Sequence, residues 1–125
     1  MIKKILIIDD DKIFSKILRD GLVSGGDGKY EVINAFNGND GFDMALSEKP
    51  DLIMLDMMMP GITGLEFLRK YRKMEAGRDT PVIAETSLSD LENMSEGVAL
   101  GVRGYLMKSD YSLETILKQV EDVLK

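Results

Sequence analysis

Apolar residues fall along this chain in two alternating rhythms. Residues 2–8 read Ile-Lys-Lys-Ile-Leu-Ile-Ile and stop at Asp9, Asp10 and Asp11, the pattern of a buried strand with an acidic end. Over residues 12–24 the apolar positions Ile13, Phe14, Ile17, Leu18 and Leu22 recur at helical spacing until Gly25-Gly26-Asp27-Gly28 breaks it. That spacing predicts a helix closed by a glycine-rich turn.

The alternation continues to the end of the chain. A second strand is expected over 30–36, with Asn37-Gly38-Asn39 as turn and cap into a helix that runs through Leu46 and is ended by Pro50. Residues 52–56 are again continuously apolar up to Asp56; a loop with Pro60 and Gly61 leads to a helix over 63–74 that Gly77 closes. Pro81-Val82-Ile83-Ala84 opens a fourth strand that ends at Thr86, and a helix over 90–100 with Gly101 as its C-cap and a short strand over 104–107 follow. Leu113, Ile116, Leu117, Val120, Val123 and Leu124 make the last helix. Strands alternating with helices predict a parallel sheet covered on both faces, with right-handed crossovers.

No repeat, low-complexity stretch or linker divides the 125 residues, so a single domain over 1–125 is expected. Any output lies in another chain or in a part of the protein beyond these residues. Hydrophobic residues make up 44% and charged residues 30%, which describes a folded globular chain. No apolar run approaches the roughly 20 residues that cross a bilayer, and the stretch after Lys3-Lys4 is too short for a signal peptide, so a cytoplasmic protein is expected. Sixteen Lys and Arg against 22 Asp and Glu give a net charge of −6, which argues against direct binding to nucleic acid or a membrane surface. The chain has neither cysteine nor histidine. Disulfides and thiolate metal sites are excluded, zinc chemistry is disfavoured, and serine–histidine hydrolysis is ruled out.

The polar residues gather where a site would form. In open α/β sheets ligands bind outside the carboxyl ends of the strands, where strand order reverses. Asp9, Asp10 and Asp11 end the first strand, Asp56 the third, Thr86 the fourth and Lys108 the fifth. If the first and third strands are neighbours, the carboxylates converge, and like charges that close need a cation among them. Mg²⁺ suits such oxygen ligands and keeps waters for a phosphate. The arrangement therefore points to Mg²⁺-assisted phosphoryl transfer, in which a carboxylate attacks phosphorus while a threonine hydroxyl and a lysine charge hold the transferred oxygens.

In these motifs the chain resembles the receiver domains of two-component response regulators. They are Ile7-Ile8-Asp9-Asp10, Pro50-Asp51-Leu52-Ile53-Met54-Leu55-Asp56, Met59-Pro60-Gly61 with Gly64, Thr86, and Tyr105-Leu106-Met107-Lys108. The resemblance implies a flavodoxin-like (βα)5 doubly wound sheet of strand order 2-1-3-4-5. It further implies that Asp56 is the phosphoacceptor, that Asp10, the Met58 carbonyl and, mostly through water, Asp9 join Asp56 in holding Mg²⁺, and that Thr86 and Lys108 grip the phosphoryl oxygens. Tyr105 would report that grip on an output face formed by the fourth helix, fifth strand and fifth helix. The phosphodonor would be a phosphohistidine on a histidine kinase or phosphotransfer protein, because this chain has no histidine of its own. Such a chain is a switch that catalyses its own phosphorylation and slow dephosphorylation, as a monomer or a phosphorylation-dependent homodimer.

Four local features add to that reading. The first helix carries apolar residues over nearly half its circumference, wider than a core-facing stripe needs; the resemblance implies donor docking on this helix, so Phe14, Ile17 and Gly21 are expected either to form the donor-docking patch or to be buried. Met58 and Leu88, two places after Asp56 and Thr86, offer no polar group to orient water, which predicts a long-lived phosphoryl group. Ser109 stands where the family has proline; a cis bond there would be costly, so a trans bond and a rearranged loop are expected. Glu85 replaces a usual apolar residue; between helices it would need a lysine or arginine partner, and leaning into the site it would add acid and tighten the need for metal.

The competing reading is a haloacid-dehalogenase-like phosphatase with Asp9 of Asp9-Asp10-Asp11 as nucleophile. It leaves Asp56 without a role and lacks a late acidic pair and a cap segment. A flavin module comes third, without a clear phosphate loop.

Overall fold

The computed structural model describes residues 1–87 and 94–125. In chain order the elements are β1 (Lys3–Ile8), α1 (Lys12–Gly25), β2 (Tyr30–Ala35), α2 (Gly38–Glu48), β3 (Leu52–Asp56), α3 (Gly64–Arg72), β4 (Val82–Thr86), α4 (Met94–Ala99), β5 (Val102–Met107) and α5 (Leu113–Val123), with a short 3-10 turn at Glu75–Gly77. The strands form one parallel sheet in the order β2-β1-β3-β4-β5, the flavodoxin-like order expected.

β4 ends at Thr86 as expected, its backbone paired with β3 through Glu85 and with β5 through Thr86. β5 begins at Val102, ahead of its expected start at Gly104. The expected start of the fourth helix, at residue 90, lies outside the described residues.

The middle of the sheet is apolar because both faces are covered, while the edge strands expose Glu31 on β2 and Arg103 on β5. Ile5, Ile7, Leu52, Met54, Ile83 and Leu106 pack beneath Phe14, Leu18 and Leu22 of α1 and Ile116 and Val120 of α5. Leu6, Ile8, Ile53, Leu55, Val82 and Ala84 pack beneath Phe42 and Ala45 of α2 and Phe67, Leu68 and Tyr71 of α3. Each such side chain contributes about 1.5–3 kcal/mol on burial. A β-carbon at Gly21 would fall 2.5 Å from Leu113 Cδ2, so the missing side chain lets α1 and α5 approach.

Side-chain caps set the helix starts. Asp11 Oδ1 accepts from the Ile13 and Phe14 N–H groups, Asn37 from Asp40, and Ser112 from Thr115; Thr63 and Glu66 form a reciprocal capping box. Asp51 has a structural task, its Oδ2 accepting the Lys4 N–H at 2.8 Å. That bond ties the start of β3 to β1, and Ile8 then pairs with Leu55. Asp9 and Asp56 follow side by side at the carboxyl end. No described helix is long and apolar enough to cross a membrane.

Candidate functional site

Strand alternation builds the site. Ile7, Met54 and Ile83 face α1 and α5, so the side chains two positions later, Asp9, Asp56 and Glu85, continue the same row at the sheet's end. All three are buried, with exposures of 0%, 4% and 0%. Lys108 follows β5, its N–H donating to the Thr86 carbonyl at 3.1 Å. Its ammonium bridges two acids, with Nζ 2.9 Å from Asp9 Oδ2 and 3.1 Å from Asp56 Oδ2. The Lys108–Ser109 peptide is trans, and the lysine reaches the site without a proline behind it.

Crowding sets the protonation states. Burial pushes the Asp56 carboxyl up to about 7, and the charge of Asp9 adds to this against the opposing Met58 N–H, 3.0 Å from Oδ1, and Lys108. Burial and then Asp9 push Glu85 well above the usual carboxylate range. Apart from a proton shared with Asp9, no donor reaches either Glu85 oxygen among the described residues. Burial works against ionisation of Asp9 too, but Glu85, the Asp11 N–H and Lys108 together hold its pKa below the ordinary value. Lys108 is driven up despite its own burial by Asp9 and Asp56. Glu85 thus faces the site and has no cation between helices.

Asp9, Asp10 and Asp56 each place a carboxylate oxygen within 4.8 Å of the others. Asp10 is exposed and the other two are buried, so the cluster opens to solvent at one side. Behind it, a β-carbon at Gly64 would fall 2.7 Å from Met57 Cα, and the Gly64 N–H donates to the Met57 carbonyl at 3.1 Å. Glycine lets α3 start directly against the backbone that follows Asp56.

The family model for the response regulator receiver domain matches residues 5–121. This chain belongs to that family. Response regulator ArlR of Staphylococcus aureus is 34% identical over 122 residues, covering 98% of this chain and 52% of that protein. The receiver domain therefore spans about half the length of the curated relatives it matches. Among solved structures, chemotaxis protein CheY4 of Vibrio cholerae superposes with a TM-score of 0.89 at 31% identity over 99% of this chain and 100% of that one. The receiver domain of the Francisella response regulator 1452 gives 0.84 at 29% identity over 98% and 96%. The dehalogenase-like alternative, with Asp9 as nucleophile, finds no support in these comparisons.

Receiver domains are phosphoacceptors of two-component signalling, and the remaining expected residues divide around that task. Thr86 is buried at the end of β4, but its hydroxyl donates to the Ser87 carbonyl at 3.1 Å. Tyr105 packs against the core on the α4 side, its hydroxyl 3.5 Å from where a β-carbon of Gly97 would lie. Met58 is 62% exposed at the mouth, and Leu88 lies outside the described residues.

The expected donor patch needs correction. Phe14 and Gly21 are buried, because α5 covers that side of α1: Phe14 meets Tyr111 edge-on at 5.2 Å and Gly21 faces Leu113. The apolar side chains left exposed on α1 near its start are Ile13, at 76%, and Ile17, at 41%. Phe14 belongs to the site instead, its ring centroid 5.3 Å from Lys108 Nζ. Periodicity could place Phe14 on an apolar arc, but only the packing of α5 decides which part of the arc is covered.

The donor set suits Mg²⁺. Among the described residues it consists of hard carboxylate oxygens with no nitrogen or sulfur ligand, and burial together with the neighbouring Asp9 raises the Asp56 pKa, which a cation would counter.

Proposed function

We propose that this receiver domain takes its phosphoryl group on Asp56 from a phosphohistidine of a histidine kinase or phosphotransfer protein. An Asp56 oxygen attacks phosphorus, the donor's N–P bond breaks and the imidazole leaves. The observation that carries the reading is the Lys108 ammonium held 3.1 Å from Asp56 Oδ2 in a row of buried acids at the end of β3. Asp9, Asp10, Asp56 and the Met58 carbonyl would hold Mg²⁺, whose charge keeps the carboxylates ionised together and offsets that of the phosphoryl oxygens.

Lys108 contributes a fixed positive charge to the transferred group, and the Phe14 ring beneath it limits where the ammonium can go. Thr86 supplies a hydroxyl once it turns from the Ser87 carbonyl to a phosphoryl oxygen. Tyr105, beside α4, carries the change to an output partner on the α4, β5 and α5 face, as a monomer or a phosphorylation-dependent homodimer. Asp9, Asp56, Thr86 and Lys108 thus make the chain a switch that catalyses its own phosphorylation and loses the group slowly. The single domain 1–125 acts in the cytoplasm, and Ile13 and Ile17 form the donor's footing.

Intact mass after incubation with Mg²⁺ and a small acyl phosphate tests the assignment. One added phosphoryl is expected on the wild type and on no Asp56→Asn protein. Modification that survives Asp56→Asn and disappears in Asp9→Asn would overturn it.

A further inference from the structure

At the end of the sheet opposite the aspartates, where β4 and β5 begin, lies a cavity of about 390 Å³. Three guanidinium groups line it: Arg72 from the last turn of α3, Arg78 ahead of β4 and Arg103 from β5. Asp79 is the one acid in that lining, so the pocket carries an excess of positive charge in a chain whose net charge is −6.

The Arg72 guanidinium is fixed in place and makes no ion pair among the described residues. Its Nε donates to the Leu100 carbonyl at 2.8 Å and its Nη1 to the Gly77 and Thr80 carbonyls at 2.8 and 2.6 Å. These acceptors orient the fork without neutralising it. Burial lowers the pKa of Arg72, and the neighbouring charge of Arg103 acts in the same direction while Tyr71 and Asp79 oppose them. Arg78 and Arg103 are exposed, and no ion pair holds either among the described residues. Two free guanidinium forks beside a fixed third suit phosphate oxygens, which they pair two at a time. Ala99 and Leu100 complete the wall with apolar surface, and the volume falls in the range of about 300–1,000 Å³ usual for small-molecule sites.

We propose that this pocket binds a phosphate-bearing small molecule of nucleotide size, with Arg78 and Arg103 gripping the phosphates and Ala99 and Leu100 seating the uncharged part. The site is separate from the phosphoacceptor and stands whether or not Asp56 is the residue modified.

Calorimetric titration of the whole chain at low salt, without divalent ions, tests this with ATP, pyrophosphate and adenosine as probes. ATP is expected to bind more tightly than pyrophosphate, and adenosine to give no signal. The double variant Arg78→Gln/Arg103→Gln should weaken ATP binding about tenfold or more while keeping its thermal midpoint, since both side chains are exposed. Lys12→Gln/Lys16→Gln, on the other side of the molecule, should leave binding intact. Absence of binding by ATP and pyrophosphate at millimolar concentration, or undiminished binding in the arginine double variant, would overturn the proposal. So would binding of polyglutamate in preference to ATP, which would make the pocket a seat for an acidic protein segment.

Discussion

Glu85 on β4 is the register partner of Asp56 on β3, and both side chains enter the same buried row as Asp9. The Lys108 ammonium bridges two of these three acids, Asp9 and Asp56. Glu85 makes no ion pair among the described residues; burial and then Asp9 push its pKa well above the usual range, and the proton it keeps is shared with Asp9.

Replacing Glu85 should accordingly stabilise the protein. Glu85→Leu removes a fully buried carboxyl group together with its contact to Asp9 and keeps an apolar side chain of similar reach, so the metal-free protein is expected to gain about 1–3 kcal/mol. Urea unfolding in the presence of a chelator measures it, and a loss of stability would show that Glu85 is held by interactions the row does not reveal.

Stability without divalent ions should fall as pH rises. Asp56 binds its proton up to about pH 7 in the folded chain against an ordinary value of 3.8, so the folded state holds more protons than the unfolded state between those values. Each pH unit in that window then removes up to about 1.4 kcal/mol, and Glu85, raised from 4.5, acts with the same sign. Asp9, lowered from 3.8, has the opposite sign, confined to more acidic solution. Thermal midpoints from pH 4 to 8 should show the decline in chelator and a flatter profile in Mg²⁺, which relieves the same crowding.

Lys108→Met should be milder in acid than in base. At pH 8 it leaves the Asp9 and Asp56 charges facing each other, at a cost of about 1–3 kcal/mol once partial solvent exposure is allowed for. At pH 5 Asp56 can take up a proton instead. Equal losses at the two pH values would mean that packing on Phe14, not charge, is the lysine's main contribution.

The two apolar roles on α1 can be separated. Phe14→Ala should cost about 3–5 kcal/mol, because it empties the space between Tyr111 and Lys108. Ile13→Glu should change stability by less than about 0.5 kcal/mol, yet slow transfer from a cognate phosphodonor protein while sparing a small acyl phosphate. Equal slowing with both donors would remove Ile13 from the docking surface.

Met58 is exposed beside Asp56 and offers incoming water no polar group. Met58→Asn is expected to shorten the life of the phosphoryl group, read from the decay of the phosphorylated mass. An unchanged decay would leave the lifetime to other residues.

The sequence by itself determined the architecture, because the central strands are near-continuous apolar runs that only a doubly covered parallel sheet can bury. It also located Asp9, Asp10, Asp56, Thr86 and Lys108, since strand ends are marked by the change from apolar to polar residues. Val102 and Arg103 fell outside the expected fifth strand because a charged side chain concealed a backbone already paired with β4. The tertiary structure decided what depends on neighbours distant in the chain. Whether Glu85 enters the site follows from its register with Asp56, and whether Phe14 is surface or site follows from Tyr111 and Lys108 closing over it. The arginine pocket is likewise invisible along the chain, because Arg72, Arg78 and Arg103 belong to different segments that only the folded sheet brings together. Local periodicity records which face of an element is apolar, while burial, pKa and charge pairing are properties of the groups that another element places against it.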